Sequence, residues 1–153
     1  MFFLNSRLAH YGVIVTLAVV LAISSCSRAG GPAFNDASAC GAAQGAVYLY
    51  RRGALAAYGL QFTVLVNGRP VGYLANASYL RLPLTPGSHV LQIMPGGAAR
   101  TTTVQIQVPA ATPVFYEVFF PPGWPMRHGF DGAAIEPRAQ VQALTRLGEL
   151  RRM

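Results

Sequence analysis

Between Gln61 and Met94 the chain alternates apolar and polar positions: Phe62, Val64 and Val66, then Leu80, Leu82 and Leu84, then Leu91 and Ile93. Successive side chains of a strand point to opposite faces, so a period of two predicts strands that each bury one face. The punctuation agrees. Asn67-Gly68 is the dipeptide that a two-residue type I′ hairpin favours, and in Thr85-Pro86-Gly87-Ser88 a proline with fixed φ precedes a glycine with a free one. The stretch reads as a tight antiparallel meander around which the rest of the chain is organised.

Flanking segments carry the same signal. Val47 to Arg51 (VYLYR) is a first strand with Tyr48 and Tyr50 on one face, and Gly53 to Gly59 is a connection. Pro95-Gly96-Gly97 turns the chain into Thr101 to Val108, where Val104, Ile106 and Val108 point inward and Thr103, Gln105 and Gln107 outward. Pro109 to Pro113 breaks that strand, and Val114 to Phe120 (VFYEVFF) returns as another, with Glu117 on the face opposite Tyr116 and Val118. Pro121 to Gly132 reads as a long irregular loop. In the segment Glu136 to Arg151, Val141, Leu144, Leu147 and Leu150 recur every three residues, which predicts a short C-terminal helix over one sheet edge. Six to seven short strands with turns at this spacing suit an antiparallel sandwich or a small open barrel. The sandwich, all-β with about seven strands and one short helix, is the expected fold.

The first thirty residues follow a different pattern. Arg7 precedes the apolar run Gly12 to Ile23, too short to span a bilayer and of the length of a signal-peptide core. Ile23-Ser24-Ser25-Cys26 follows, and it resembles the lipobox of bacterial lipoproteins, in which the cysteine thiol takes a diacylglycerol and becomes the new N-terminus. The division expected is a signal peptide over residues 1–25, a lipid-anchored tether over 26–45 and one domain over 46–153. With a diacylglycerol and an acyl chain on Cys26, anchoring is permanent, because each buried CH₂ contributes about 0.8 kcal/mol. Ser27 rather than aspartate after the cysteine resembles cargo released to the outer membrane, so the expected location is that membrane, facing the periplasm. The tether Ser27 to Gly45 is rich in Gly, Ala and Ser without apolar period, the composition of a flexible leash.

With 153 residues and 52 % hydrophobic content the chain has room for one core. Its formal charge is +7, and all twelve basic residues are arginine. In an envelope such a balance favours anionic neighbours, lipid head groups, lipopolysaccharide phosphates or cell-wall carboxylates, over nucleic acid. Once Cys26 is acylated, Cys40 has no intramolecular partner and reads as an inert thiol or an intermolecular disulfide.

The segments VYLYRRGAL (47 to 55), VLVNGRPVGYLANASYLRLPLTPGSHVLQI (64 to 93) and FYEVFF (115 to 120) resemble a bacterial lipoprotein family catalogued as domain of unknown function 2846. The residues that carry the resemblance are Tyr50, Arg51, Asn67, Gly68, Gly72, Leu74, Tyr79, Pro86, Gly87 and His89. The resemblance implies a small sandwich similar to immunoglobulin-like and carbohydrate-binding-like domains, and it brings no assigned activity.

Candidate chemistry is sparse. Ser88 and His89 are adjacent on a strand and face opposite ways, so they make no nucleophile and base pair, and His89 reads as a turn-closing residue bonded to backbone. No metal site is expected, since no His-x-x-x-His, Cys-x-x-Cys or carboxylate cluster occurs. Glu117, Asp131, Glu136 and Glu149 show no spacing that implies a catalytic pair, although distant carboxylates can converge in a fold. The loop with Trp124, Arg127, His128 and Asp131 gathers the residue types that dominate binding hot spots, and it is the candidate contact site, with a Trp124 that folds back on a sheet edge as the competing reading. Tyr48, Tyr50, Tyr73, Tyr79, Phe115 and Phe119 read as packing first and as a sugar-stacking row second. The function expected is a non-enzymatic binding or structural module of the envelope, whose partners are the bilayer through Cys26 and another envelope protein or an anionic cell-wall polymer. A glycan-binding module is the first alternative and an envelope hydrolase the second.

Overall fold

The computed structural model describes residues 33–34, 43–55, 57–96, 99–122 and 132–153. Among these residues nine strands form two sheets packed face to face: β1 (Gly45–Arg51), β2 (Phe62–Val66), β3 (Arg69–Leu74), β4 (Ser78–Leu84), β5 (Gly87–Pro95), β6 (Thr102–Val108), β7 (Pro113–Phe119), β8 (Ala134–Arg138) and β9 (Arg151–Arg152), with a helix, α1 (Gln140–Leu147), before β9. The sheets run β8-β7-β1-β4-β9 and β3-β2-β5-β6. The fold is an all-β sandwich with a short C-terminal helix. In the five-stranded sheet β1–β7 and β4–β9 are parallel pairs, and the remaining pairs of both sheets are antiparallel.

Two layers of apolar side chains hold this arrangement. Val47, Leu49, Phe62, Val64, Leu74, Leu82, Leu91, Ile93, Ile106 and Val118 fill the space between the sheets. On the outer face of the five-stranded sheet a second cluster joins Tyr48, Tyr50, Tyr79 and Phe115 to Ala143, Leu147 and Leu150. Every residue of β1 is therefore buried, one face against the opposite sheet and the other under α1. Tyr48 stacks on Phe115 with ring centroids 5.3 Å apart, and its hydroxyl accepts from Arg81 Nε at 3.2 Å. Helix α1 has only eight residues and Ala139 caps it without a side-chain hydrogen bond, so its stability comes from that buried face.

The Asn67-Gly68 turn forms as expected. Both residues have positive φ, 50° and 77°, as a type I′ hairpin requires. His89 ties this turn to the next one: its Nε2 meets the Thr85 carbonyl at 2.8 Å and its Nδ1 meets Asn67 Nδ2 at 3.0 Å, a pattern satisfied when the ring proton sits on Nε2. Gly68→Val is expected to cost about 1–3 kcal/mol, because a β-branched side chain resists that φ. Gly53→Val should cost less, since a Cβ there meets Ala77 only at an ordinary 3.6 Å and φ is not positive. Thermal unfolding of the two variants checks the order.

Three expectations change. The central stretch is not a single meander: β2 and β3 form the hairpin, β4 crosses to the other sheet beside β1, and β5 returns to pair with β2. Alternation identifies which side chains face inward, and Leu82 does, but it does not select the neighbouring strand. The C-terminal segment is not helical from Glu136: residues 134–138 are edge strand β8, where Pro137 is tolerated. Helix α1 then covers a sheet face rather than an edge, and its buried residues are Ala143 and Leu147, whereas Val141 is 79 % exposed. The tether also departs from a featureless leash. Phe34 packs edge-on against Tyr48 and Tyr79, at 5.9 and 5.5 Å between centroids, and Ala33 bridges to Arg151.

Candidate functional site

Register brings the charged residues of the outer face together. Glu117 on β7 lies beside Tyr50 of β1 on one side and opposite Glu136 of β8 on the other. Two carboxylates directly opposite repel. Arg138 relieves this, donating from Nε to Glu117 at 2.8 Å and contacting Glu136 through Nη2 at 2.6 Å. Arg52, just past the end of β1, donates to the second oxygen of Glu117, whose side chain is 5 % exposed. Tyr50, Arg52, Glu117 and Arg138 border an open cleft of about 540 Å³, closed on the helix side by Val141, Gln142, Thr145 and Arg146. A second cleft of about 500 Å³ lies on the other side of Arg52 and Arg146 and includes Arg51, Phe119, Phe120 and Leu150. Arg146, on the last turn of α1 and exposed, makes no ion pair among the described residues.

This geometry suits binding better than acid–base chemistry. Glu117 and Glu136 do converge, yet both oxygens of Glu117 accept from guanidinium groups and its side chain is almost fully buried, an environment that holds it as a paired carboxylate. Glu136 does not line the cleft. Its lining is mainly cationic and hydrogen-bonding: Arg52, Arg138, Arg146, Gln142 and Thr145, beside the exposed Val141 and the buried Tyr50.

Arg51 plays a separate part. Its guanidinium is buried at the open end of the sandwich, 4.3 Å from the Phe62 ring centre, and donates to the carbonyls of Leu60 at 2.6 Å and Ala57 at 2.5 Å. Burial without an anion pulls its pKa down to about 10. Burial pushes the hydroxyls of Tyr50, Tyr79 and Tyr116 up, with the Glu117 charge adding to the effect at Tyr50. The signs oppose. A tyrosine whose folded pKa is raised contributes stability that is present below about pH 10 and is lost as pH rises through the folded value. Arg51, whose folded pKa is lowered to about 10, regains stability as pH rises above that value. With three tyrosines against one arginine, the melting temperature should fall above pH 10, and Tyr50→Phe should lessen the fall. An alkaline series of melting curves for the two proteins tests this.

Several residues singled out from the sequence lie outside the described residues: Cys26, Cys40, Trp124, Arg127, His128 and Asp131. The described ends of the segment that carries Trp124 are nonetheless informative. Pro122 borders the second cleft, and Gly132 is pressed against Thr102 and the Arg100 carbonyl. Asn67 and Gly68 occupy a turn as read, Pro86 lies at the bend before β5, and Gly87, with φ of 133°, is already the first residue of that strand. Sequence reasoning missed the Arg52–Glu117–Arg138 constellation and Arg146. One signal was present: Glu117 is the lone charge in a strongly apolar strand, where burial demands a partner.

No protein-family model, curated protein or solved structure matches the chain.

Proposed function

We propose that this protein is a lipid-anchored module of the cell envelope, held at the outer membrane through a diacylglycerol and an acyl chain on Cys26, that binds a partner without transforming it. The observation that carries the reading is Ile23-Ser24-Ser25-Cys26 behind a basic residue and an apolar run of signal-peptide length. The body supports the binding role, since the cleft beside α1 presents arginines while its buried carboxylate is engaged. Its charge favours an anionic partner: a carboxylate-bearing cell-wall polymer or an acidic surface of another envelope protein. The segment with Trp124, Arg127, His128 and Asp131, which leaves the fold at the rim of the second cleft, is a second proposed contact.

Arg146→Glu tests the cleft. The residue is exposed, so melting should stay close to wild type. Binding to purified sacculi and in-cell crosslinking from α1 should together reveal the partner, and the variant should reduce that contact at least tenfold, as expected when one cation of a binding surface is reversed. Unchanged contact in both assays sinks the cleft as the binding surface.

A glycan-binding module is the second reading, favoured by the outer face of the four-stranded sheet. There Tyr73 is 57 % exposed, beside Thr63 and near Met94, Gln92 and Thr103. An aromatic ring among amides and hydroxyls is a stacking surface for sugars. Tyr73→Ala would abolish sacculus binding on this reading and leave it intact on the first.

A further inference from the structure

Phe34 and Ala33 fix the place where the tether meets the body. Ala33 bridges to Arg151, and Phe34 sits against Tyr48 and Tyr79 at the β4–β9 side of the five-stranded sheet. Seven residue steps separate Cys26 from Ala33, which at full extension reach about 25 Å. That is a ceiling. A lipid on Cys26 therefore keeps this side of the body close to the bilayer, whereas the undocked leash to Gly45 would let any face approach it.

The docking point is cationic. Arg152 pairs in register with Tyr79 and Arg151 with Ser78. Arg81 lies two residues along β4 from Tyr79, on the same face, where its Nε reaches the Tyr48 hydroxyl. None of the three makes an ion pair among the described residues, and Arg151 and Arg152 are exposed. The cleft lies on the same face, further across the sheet. Its strand β7 is three positions from β9 in the order β7-β1-β4-β9, about 14 Å at the usual ~4.8 Å strand spacing.

We propose that the rim formed by Arg81, Arg151 and Arg152 around Phe34 is a membrane-facing surface that binds the anionic head groups of phospholipids and holds the β9 side of the body against the bilayer. The proposal deepens the reading above and rests on acylation of Cys26 for its geometry. Each arginine near an anionic leaflet strengthens binding roughly fivefold, so three supply about a hundredfold, and the attraction fades beyond a Debye length of about 8 Å at physiological salt. A tether that reaches no further than this one holds the rim where that attraction acts.

The test uses the full processed protein, purified from membranes and reconstituted in phosphatidylcholine vesicles with or without phosphatidylglycerol. The phosphatidylglycerol carries a photoactivatable head group, and labelled peptides are mapped by mass. Labelling is expected on the peptides with Tyr79 to Leu82 and Leu147 to Met153 at least tenfold above those of β6 and β8. Arg151→Gln with Arg152→Gln, which spares the Arg81–Tyr48 bond, should lower it several-fold, and adding Arg81→Gln should bring it to background. A control that removes equal charge, Arg69→Gln with Arg100→Gln, should leave the pattern unchanged. Even labelling of all faces, or equal loss in the control, overturns the proposal. The intact mass reports Cys26 acylation separately. If the lipid is absent, the same protein is floated with both vesicle types, and the rim stands only if phosphatidylglycerol vesicles alone retain it and high salt releases it.

Discussion

Cys26→Ser is expected to move the protein out of the membrane fraction altogether. Each buried CH₂ of an acyl chain contributes about 0.8 kcal/mol, and one chain alone binds marginally, so two or more on one cysteine make the difference between transient and permanent attachment. Without them the chain has little to replace the anchor. The apolar run Gly12 to Ile23 would extend only about 18 Å as a helix, against a hydrocarbon core of about 30 Å. Among the described residues no helix is long and apolar enough to cross a membrane. Any residual attachment through the arginine rim would be electrostatic and would not survive about 1 M salt, where the Debye length is about 3 Å. Fractionation after a high-salt, detergent-free wash is the measurement: wild type should stay in the pellet and Cys26→Ser should leave it. Retention of the variant would show that Cys26 is not the anchor.

The second large effect is expected at Tyr48. The residue is fully buried, stacked on Phe115, met edge-on by Phe34, and covered by the cluster that seats α1. Tyr48→Ala should destabilise the fold by about 3–5 kcal/mol, the usual cost of truncating a buried aromatic. Tyr48→Phe keeps the ring and loses only the long bond from Arg81, so about 1 kcal/mol or less is expected. Because Phe34 rests on the same ring, Tyr48→Ala should also release the tether, read as faster hydrogen exchange at Phe34 than in Tyr48→Phe. Denaturant unfolding supplies the first comparison. Equal destabilisation by the two variants would mean that the hydroxyl, not the packing, holds this face together.

Where sequence and structure part, the reason is specific. Val141, Leu144, Leu147 and Leu150 recur every three residues, but a helix turns 100° per residue, so Val141 lies about 120° around the axis from Leu147. The buried stripe instead runs through Ala143 and Leu147, continuing to Leu150 beyond the helix. Pro137 held a warning about the helix start, since the residue before a proline avoids the α region, and Glu136 is in fact in a strand. The site was harder to read. Glu117, Arg52 and Arg138 are 65 and 21 residues apart in their pairs, and nothing local links them.

By itself the sequence determined the secondary structure of most of the body, the type I′ turn at Asn67-Gly68, the backbone-bonded role of His89 and the inward face of β6. These depend on period, turn chemistry and side-chain reach, all of which act within a few residues. Only the tertiary structure decided that β4 leaves its neighbours to pair with β1, that β7 lies parallel to β1, and that Phe34 docks beside Arg151 and Arg152. Those pairings join residues distant along the chain, and they are selected by which combination of faces buries both aromatic and aliphatic layers at once, a condition that no short window of sequence contains.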